Sequence, residues 1–101
     1  MSEAKTLLKP NTKVQAERPR LYKVILLNDD FTPREFVVRV LKRVFRMSEG
    51  EAESVMLTAH MKGACVVAVY TKEVADEKAR AGTEAGEQQG YPLAFTTERE
   101  E

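Results

Sequence analysis

With 101 residues the chain has room for one domain, and folding at this size buries roughly 60–70% of the surface that the unfolded chain exposes. Hydrophobic residues at 43% and charged residues at 32% exclude the disordered and membrane classes, and no apolar run is long enough to span a bilayer. The 16 basic and 16 acidic groups cancel but are unevenly spread: five basic and two acidic in residues 1–20, eight and six in 21–72, three and eight in 73–101, a pattern suited to meeting other macromolecules.

Residues 1–20, with Pro10, Asn11, Pro19 and several lysines and arginines but no sustained apolar period, read as a flexible arm preceding a folded domain over 21–101. Leu21-Tyr22-Lys23-Val24-Ile25-Leu26-Leu27 is rich in strand formers and almost continuously apolar, the pattern of a strand buried on most of both faces, and it ends in the polar turn Asn28-Asp29-Asp30. Thr32-Pro33-Arg34-Glu35 has the form of a capping box with proline at the first helical position. Phe36, Val37, Val40, Leu41, Val44 and Phe45 then recur at helical spacing, which predicts a helix over 33–46 with Arg39, Lys42, Arg43 and Arg46 on its other face.

A second capping box, Ser48-Glu49-Gly50-Glu51, opens a helix with Ala52, Val55, Met56, Ala59 and His60 on one stripe, and Gly63 is placed to end it. Ala64 to Thr71 reads as a second buried strand. A short third helix is predicted over 73–81, weakened beyond that by Gly82 and Gly86. Leu93-Ala94-Phe95-Thr96-Thr97 alternates as a final strand. The order β-α-α-β-α-β with short links predicts an α+β fold, a three-stranded antiparallel sheet with its helices packed on one face.

Motifs for catalysis are missing: there is no Gly-rich phosphate loop, no His/Cys cluster, and no serine or cysteine set against a base. With one histidine and one cysteine, neither a structural metal nor a cofactor is expected. The lone Cys65 excludes an internal disulfide, fits a reducing compartment and reads as a small buried hydrophobe; with no apolar h-region after Met1, a cytoplasmic protein is expected.

Two features leave alternatives open. The carboxylates and asparagine carbonyl of Asn28-Asp29-Asp30, between a strand and a helix start, suit amide capping first, and alternatively an acceptor-rich mouth for an ammonium group. His60, one turn after Met56 on the apolar stripe, reads as a core residue or as part of a site.

The run Tyr22-Lys23-Val24-Ile25-Leu26-Leu27-Asn28-Asp29-Asp30-Phe31-Thr32-Pro33, then Glu35-Phe36-Val37, Met56-Leu57, Ala59-His60, Gly63, Val69-Tyr70-Thr71, Glu73-Val74-Ala75 and Pro92-Leu93, resembles the ClpS adaptor family in order and spacing, over about 21–98. The resemblance implies an adaptor without catalytic chemistry. Such an adaptor binds proteins whose first residue is bulky and hydrophobic (Leu, Phe, Tyr or Trp), known as N-degrons, and delivers them to the ClpA unfoldase of the ClpAP protease. It implies that Asn28, Asp29 and His60 hold the α-amino group, and that Asp30, Thr32, Met56, Ala59 and Leu93 line a pocket for the first side chain, with Arg34 near its mouth. It further implies that Glu73 and Lys78 face the unfoldase and that the arm acts in delivery. The family commonly has an apolar residue where this chain has Arg34, and a larger aliphatic where it has Ala59.

A nucleic-acid or ribosome-associated module is the competing reading, motivated by the basic stripe Arg34, Arg39, Lys42, Arg43 and Arg46 and by the basic arm. Zero net charge and the lack of an RNA-binding signature stand against it. A structural subunit or inhibitor of the protease is a third.

Overall fold

The computed structural model describes residues 18–101, so the arm expected over 1–20 falls, up to residue 17, outside the described residues. Strand β1 (Leu21–Leu27) leads to helices α1 (Arg34–Phe45) and α2 (Glu49–Lys62); strand β2 (Ala64–Thr71), helix α3 (Lys72–Gln88) and strand β3 (Ala94–Arg99) follow. The sheet is antiparallel in the order β2-β1-β3, with the helices on one face, as the element pattern predicts.

The first strand is central, yet only Val24 and Leu26 are buried along it. Successive strand residues point to opposite faces, so Tyr22, Val24 and Leu26 look toward the helices while Leu21, Lys23, Ile25 and Leu27 look the other way. The expectation of burial on both faces is therefore corrected: a one-layer helical cover leaves the second face open, and Leu21 and Leu27 are 41% and 38% exposed. For the same reason β2, an edge strand, contains no fully buried residue, and Val66 and Val69 lie open. At a register shift opposite Val24 and Ile25 β2 carries one extra residue, Val67, and Cys65, Val67 and Tyr70 pack against the core.

Helix α1 buries Val37, Val38, Val40, Leu41 and Phe45 in the core, packed against the other two helices, with the Phe45 ring reaching Phe95 of the last strand. The capping box expected at its start does not form. Pro33 occupies the cap position with extended backbone (φ −60°, ψ 140°), and the hydroxyl of Thr32 donates to Asp29 Oδ2 at 2.9 Å instead. A cap residue accepts helix N–H groups on its side-chain oxygen; with the helix starting at Arg34 that place falls to Pro33, which has no such oxygen, and Thr32 stands one residue too early. The box at Ser48 forms in full: Glu51 N–H donates to Ser48 Oγ at 3.1 Å and Ser48 N–H to Glu51 Oε1 at 3.0 Å. Ser48→Ala is expected to cost about 1 kcal/mol, lowering the thermal midpoint by about 4–8 °C, measurable by calorimetric unfolding. Gly63 ends α2 in the left-handed region at φ 92°, as its position predicts.

Helix α3 runs through both glycines to Gln88, well past the expected end at 81. Ala75, Ala79, Gly82 and Gly86 recur on one buried face. A Cβ at Gly82 would lie 2.6 Å from Phe95 Cδ1, and one at Gly86 2.7 Å from Leu93 Cβ. The glycines cost helix propensity, but they let the backbone sit directly on β3 and the residue before it, and the packing gained outweighs the intrinsic penalty of about 1 kcal/mol each.

Candidate functional site

Three distant chain points meet at one end of the sheet because of strand register. Leu27, the last residue of β1, pairs with Ala64 on one side and with Ala94 on the other. Asn28 leaves the sheet between Gly63 and Leu93, and its N–H donates to the Gly63 carbonyl at 3.0 Å. The end of α2, the loop 28–33 and the entry to β3 thus converge, and the first turn of α1 closes the fourth side.

Between them lies a cavity of about 360 Å³, within the roughly 300–1,000 Å³ of ordinary ligand sites. All nine residues expected from the sequence to form the substrate site border it: Asn28, Asp29 and His60, and Asp30, Thr32, Arg34, Met56, Ala59 and Leu93. Met56, Ala59 and His60 come from one face of α2, where residues three and four apart are neighbours. Ala59 and Leu93 are almost fully buried and form an apolar floor; Asn28, Asp30, Arg34 and His60 are exposed.

Asp29 organises the loop. Its Oδ1 accepts the N–H groups of Phe31 at 2.8 Å and Thr32 at 2.7 Å, and its Oδ2 accepts the Thr32 hydroxyl. The capping alternative for the acidic turn is therefore real, though the amides served belong to the loop and not to the helix. A carboxylate offers about four acceptor sites, and these three bonds leave about one unused, on Oδ2. His60 stands exposed at the rim and is no core residue. Leu26, Leu27, Phe31, Pro33 and Val37 also line the cavity and were not singled out from the sequence. Val37 was legible only as a core position of α1, and Phe31, 78% exposed, carries no pattern that separates it from an ordinary loop residue.

The family model described as "ATP-dependent Clp protease adaptor protein ClpS" matches residues 17–96. The chain belongs to the ClpS family. An ATP-dependent Clp protease adapter protein ClpS 2 from Mesorhizobium japonicum is 65% identical over 92% of this chain and 94% of its own length. ClpS 1 from Bradyrhizobium diazoefficiens is 59% identical over the whole of both chains. The solved structure of Agrobacterium tumefaciens ClpS2 bound to L-phenylalaninamide superimposes with a TM-score of 0.81 at 58% identity, covering 82% of this chain and all of that one. The protein is thus a ClpS adaptor of the Clp protease, not an enzyme, and the nucleic-acid reading is not favoured.

The basic stripe that motivated that reading is partly engaged within the ClpS domain. Lys42 pairs with Glu49 at 2.6 Å, which holds the Glu49 carboxyl below its ordinary range, and the Arg39 guanidinium sits 5.7 Å over the Phe36 ring, itself edge-on to Tyr91. Of the two residues expected to face an unfoldase, Glu73 is exposed in the first turn of α3. Lys78 is half-buried, and its ammonium donates to the Val44 carbonyl at 2.9 Å, tying α3 to the end of α1. Cys65 is half-buried, less than expected, because β2 is an edge strand; burial still pushes its thiol up, away from the reactive thiolate. Among the described residues no cluster suited to a metal ion occurs, and no helix is long and apolar enough to cross a membrane.

Proposed function

We propose that the cavity at the end of the sheet binds the first residue of N-degron proteins, those beginning with Leu, Phe, Tyr or Trp, and that this ClpS passes them to a ClpA-type AAA+ unfoldase in the cytoplasm. The observation that carries this reading is the convergence of an acceptor-rich rim, with Asn28, Asp29 and His60, and an apolar floor on one cavity; in this reading those three residues take the α-amino group. The first side chain enters between Asp30, Thr32, Met56, Ala59 and Leu93, with Arg34 at the mouth. The ligand named for the Agrobacterium structure supports it, since L-phenylalaninamide combines a free amino group with an aromatic side chain.

The energetics suit a carrier that must release its cargo. Charge-assisted bonds are worth about 1.5–3 kcal/mol each, and burial of a Leu or Phe side chain adds roughly 1.5–3 kcal/mol. Two or three such bonds and one side chain, set against an association cost of about 4–15 kcal/mol, leave at most about −8 kcal/mol, so binding no tighter than about micromolar. Glu73 and Lys78 would meet the unfoldase on α3, and residues 1–20 would serve delivery while 21–101 form the binding domain. The test is a titration of short peptides differing only in their first residue. Leu, Phe, Tyr and Trp should bind and Ala, Ser, Asp and Lys should not; equal binding across the panel overturns the proposal.

A further inference from the structure

The guanidinium in the cavity wall makes no contact with either the α-amino group or the first side chain in that reading. Arg34 begins α1, is exposed and borders the cavity. The ion pairs among the described residues, Lys42–Glu49 and Lys72–Asp76, leave it out. The neighbouring carboxylate of Glu35 does not border this cavity; it faces the grooves along α1 with Arg39 and Arg43. The charged lining therefore consists of two carboxylates, Asp29 and Asp30, and one guanidinium, besides the His60 imidazole.

The two signs have separate places along the loop. Asn28 is tied to Gly63 beside the end of α2, where His60 lies, and Asp29 turns its carboxylate into the loop. Arg34 is at the other end of the same segment, beyond Pro33, on the helix. A peptide whose ammonium is held at the Asn28 and His60 end, with its first side chain on the Ala59 and Leu93 floor, has its second residue left to run over the wall that Arg34 supplies.

We infer that Arg34 makes this adaptor favour substrates whose second residue is acidic, Asp or Glu, over those whose second residue is basic. The inference deepens the N-degron reading and rests on it. The guanidinium offers several donors in a planar fork matched to a carboxylate. Because the pair is exposed, its effect is modest, about two- to fivefold in affinity for an acidic against a neutral second residue at low salt, shrinking as salt is added.

The experiment titrates the full chain with the peptides Leu-Ala, Leu-Glu and Leu-Lys, otherwise identical, at low and high salt, and repeats the set with Arg34→Met and Arg34→Glu. The expected order is Leu-Glu, Leu-Ala, Leu-Lys, collapsing in Arg34→Met and reversing in Arg34→Glu, each affinity being read as a ratio to that of Leu-Ala for the same variant. Tight binding of Leu-Ala with no preference between Glu and Lys, or with a preference for Lys set by Asp29 and Asp30, overturns the role of Arg34 and leaves the N-degron reading intact. Failure of Leu-Ala itself to bind overturns both. A preference for Glu that survives in Arg34→Met assigns it to another residue and equally overturns the inference.

Discussion

Acetylating the N-terminus of a Leu- or Phe-initial peptide is expected to weaken its binding to this adaptor by at least about a hundredfold. Acetylation removes the charge and the donors of the α-amino group while leaving the first side chain unchanged. The acceptors at the rim would then be covered without partners, and each buried group left so costs about 1–3 kcal/mol, where 1.4 kcal/mol is a factor of ten. Asp29 is a poor mutational probe of this contact, since its carboxylate also holds the loop through Phe31 and Thr32. The ligand is the cleaner variable, with His60 as the companion: it is exposed and takes no part in those loop bonds. His60→Ala should reduce affinity for the free peptide by less than acetylation does, and should hardly change that for the acetylated one. The bound form needs the ammonium protonated, and its ordinary pKa is about 7.7–8.0, so affinity should decline as pH rises above about 8. An acetylated peptide that binds as tightly as the free one in a calorimetric titration would refute the assignment.

Replacing Gly82 with valine is expected to destabilise the domain by about 2–3 kcal/mol, a fall of roughly 10–20 °C in the thermal midpoint. A Cβ there would meet two atoms of the Phe95 ring at 2.6 and 2.7 Å. That ring has little room to give way: it is 7% exposed, and the Phe45 ring packs against it at 5.3 Å. Gly50 is the control, a glycine in the first turn of α2 with nothing within 4 Å of an added Cβ. Gly50→Ala should stabilise by about 0.5–1 kcal/mol, because alanine restricts the unfolded chain and meets no obstacle. If both substitutions shift the midpoint upward, α3 does not approach β3 as closely as the structure has it. Gly86→Val carries the same crowding to Leu93, so it should lower peptide affinity as well as stability, since Leu93 forms part of the cavity floor.

The elements legible in the sequence were those decided within a few residues. β1 ends where the polar turn begins, the Ser48 box closes between groups three positions apart, and Gly63 supplies the left-handed residue at the end of α2. The site was legible for another reason: the motif around Asn28-Asp29-Asp30 and the pair Ala59-His60 resemble one family, and residues so identified line a single cavity. Periodicity alone left Asp29 between capping and binding, and left His60 between core and rim.

What only the tertiary structure decided depends on which surfaces meet. An apolar run does not reveal whether one or both faces of a strand are covered, so the open face of β1 and β2 followed from there being helices on one side only. The helix began one residue later than the Thr32 box requires, which put Pro33 at the cap, and loop closure brought the Thr32 hydroxyl to Asp29. Propensity counted Gly82 and Gly86 against α3, while the helix used them to approach Phe95 and Leu93, residues seven or more positions further along the chain. Leu26 and Val37 read as core side chains, and they became walls of a cavity only when the register of β1 with both neighbours brought the ends of three segments together.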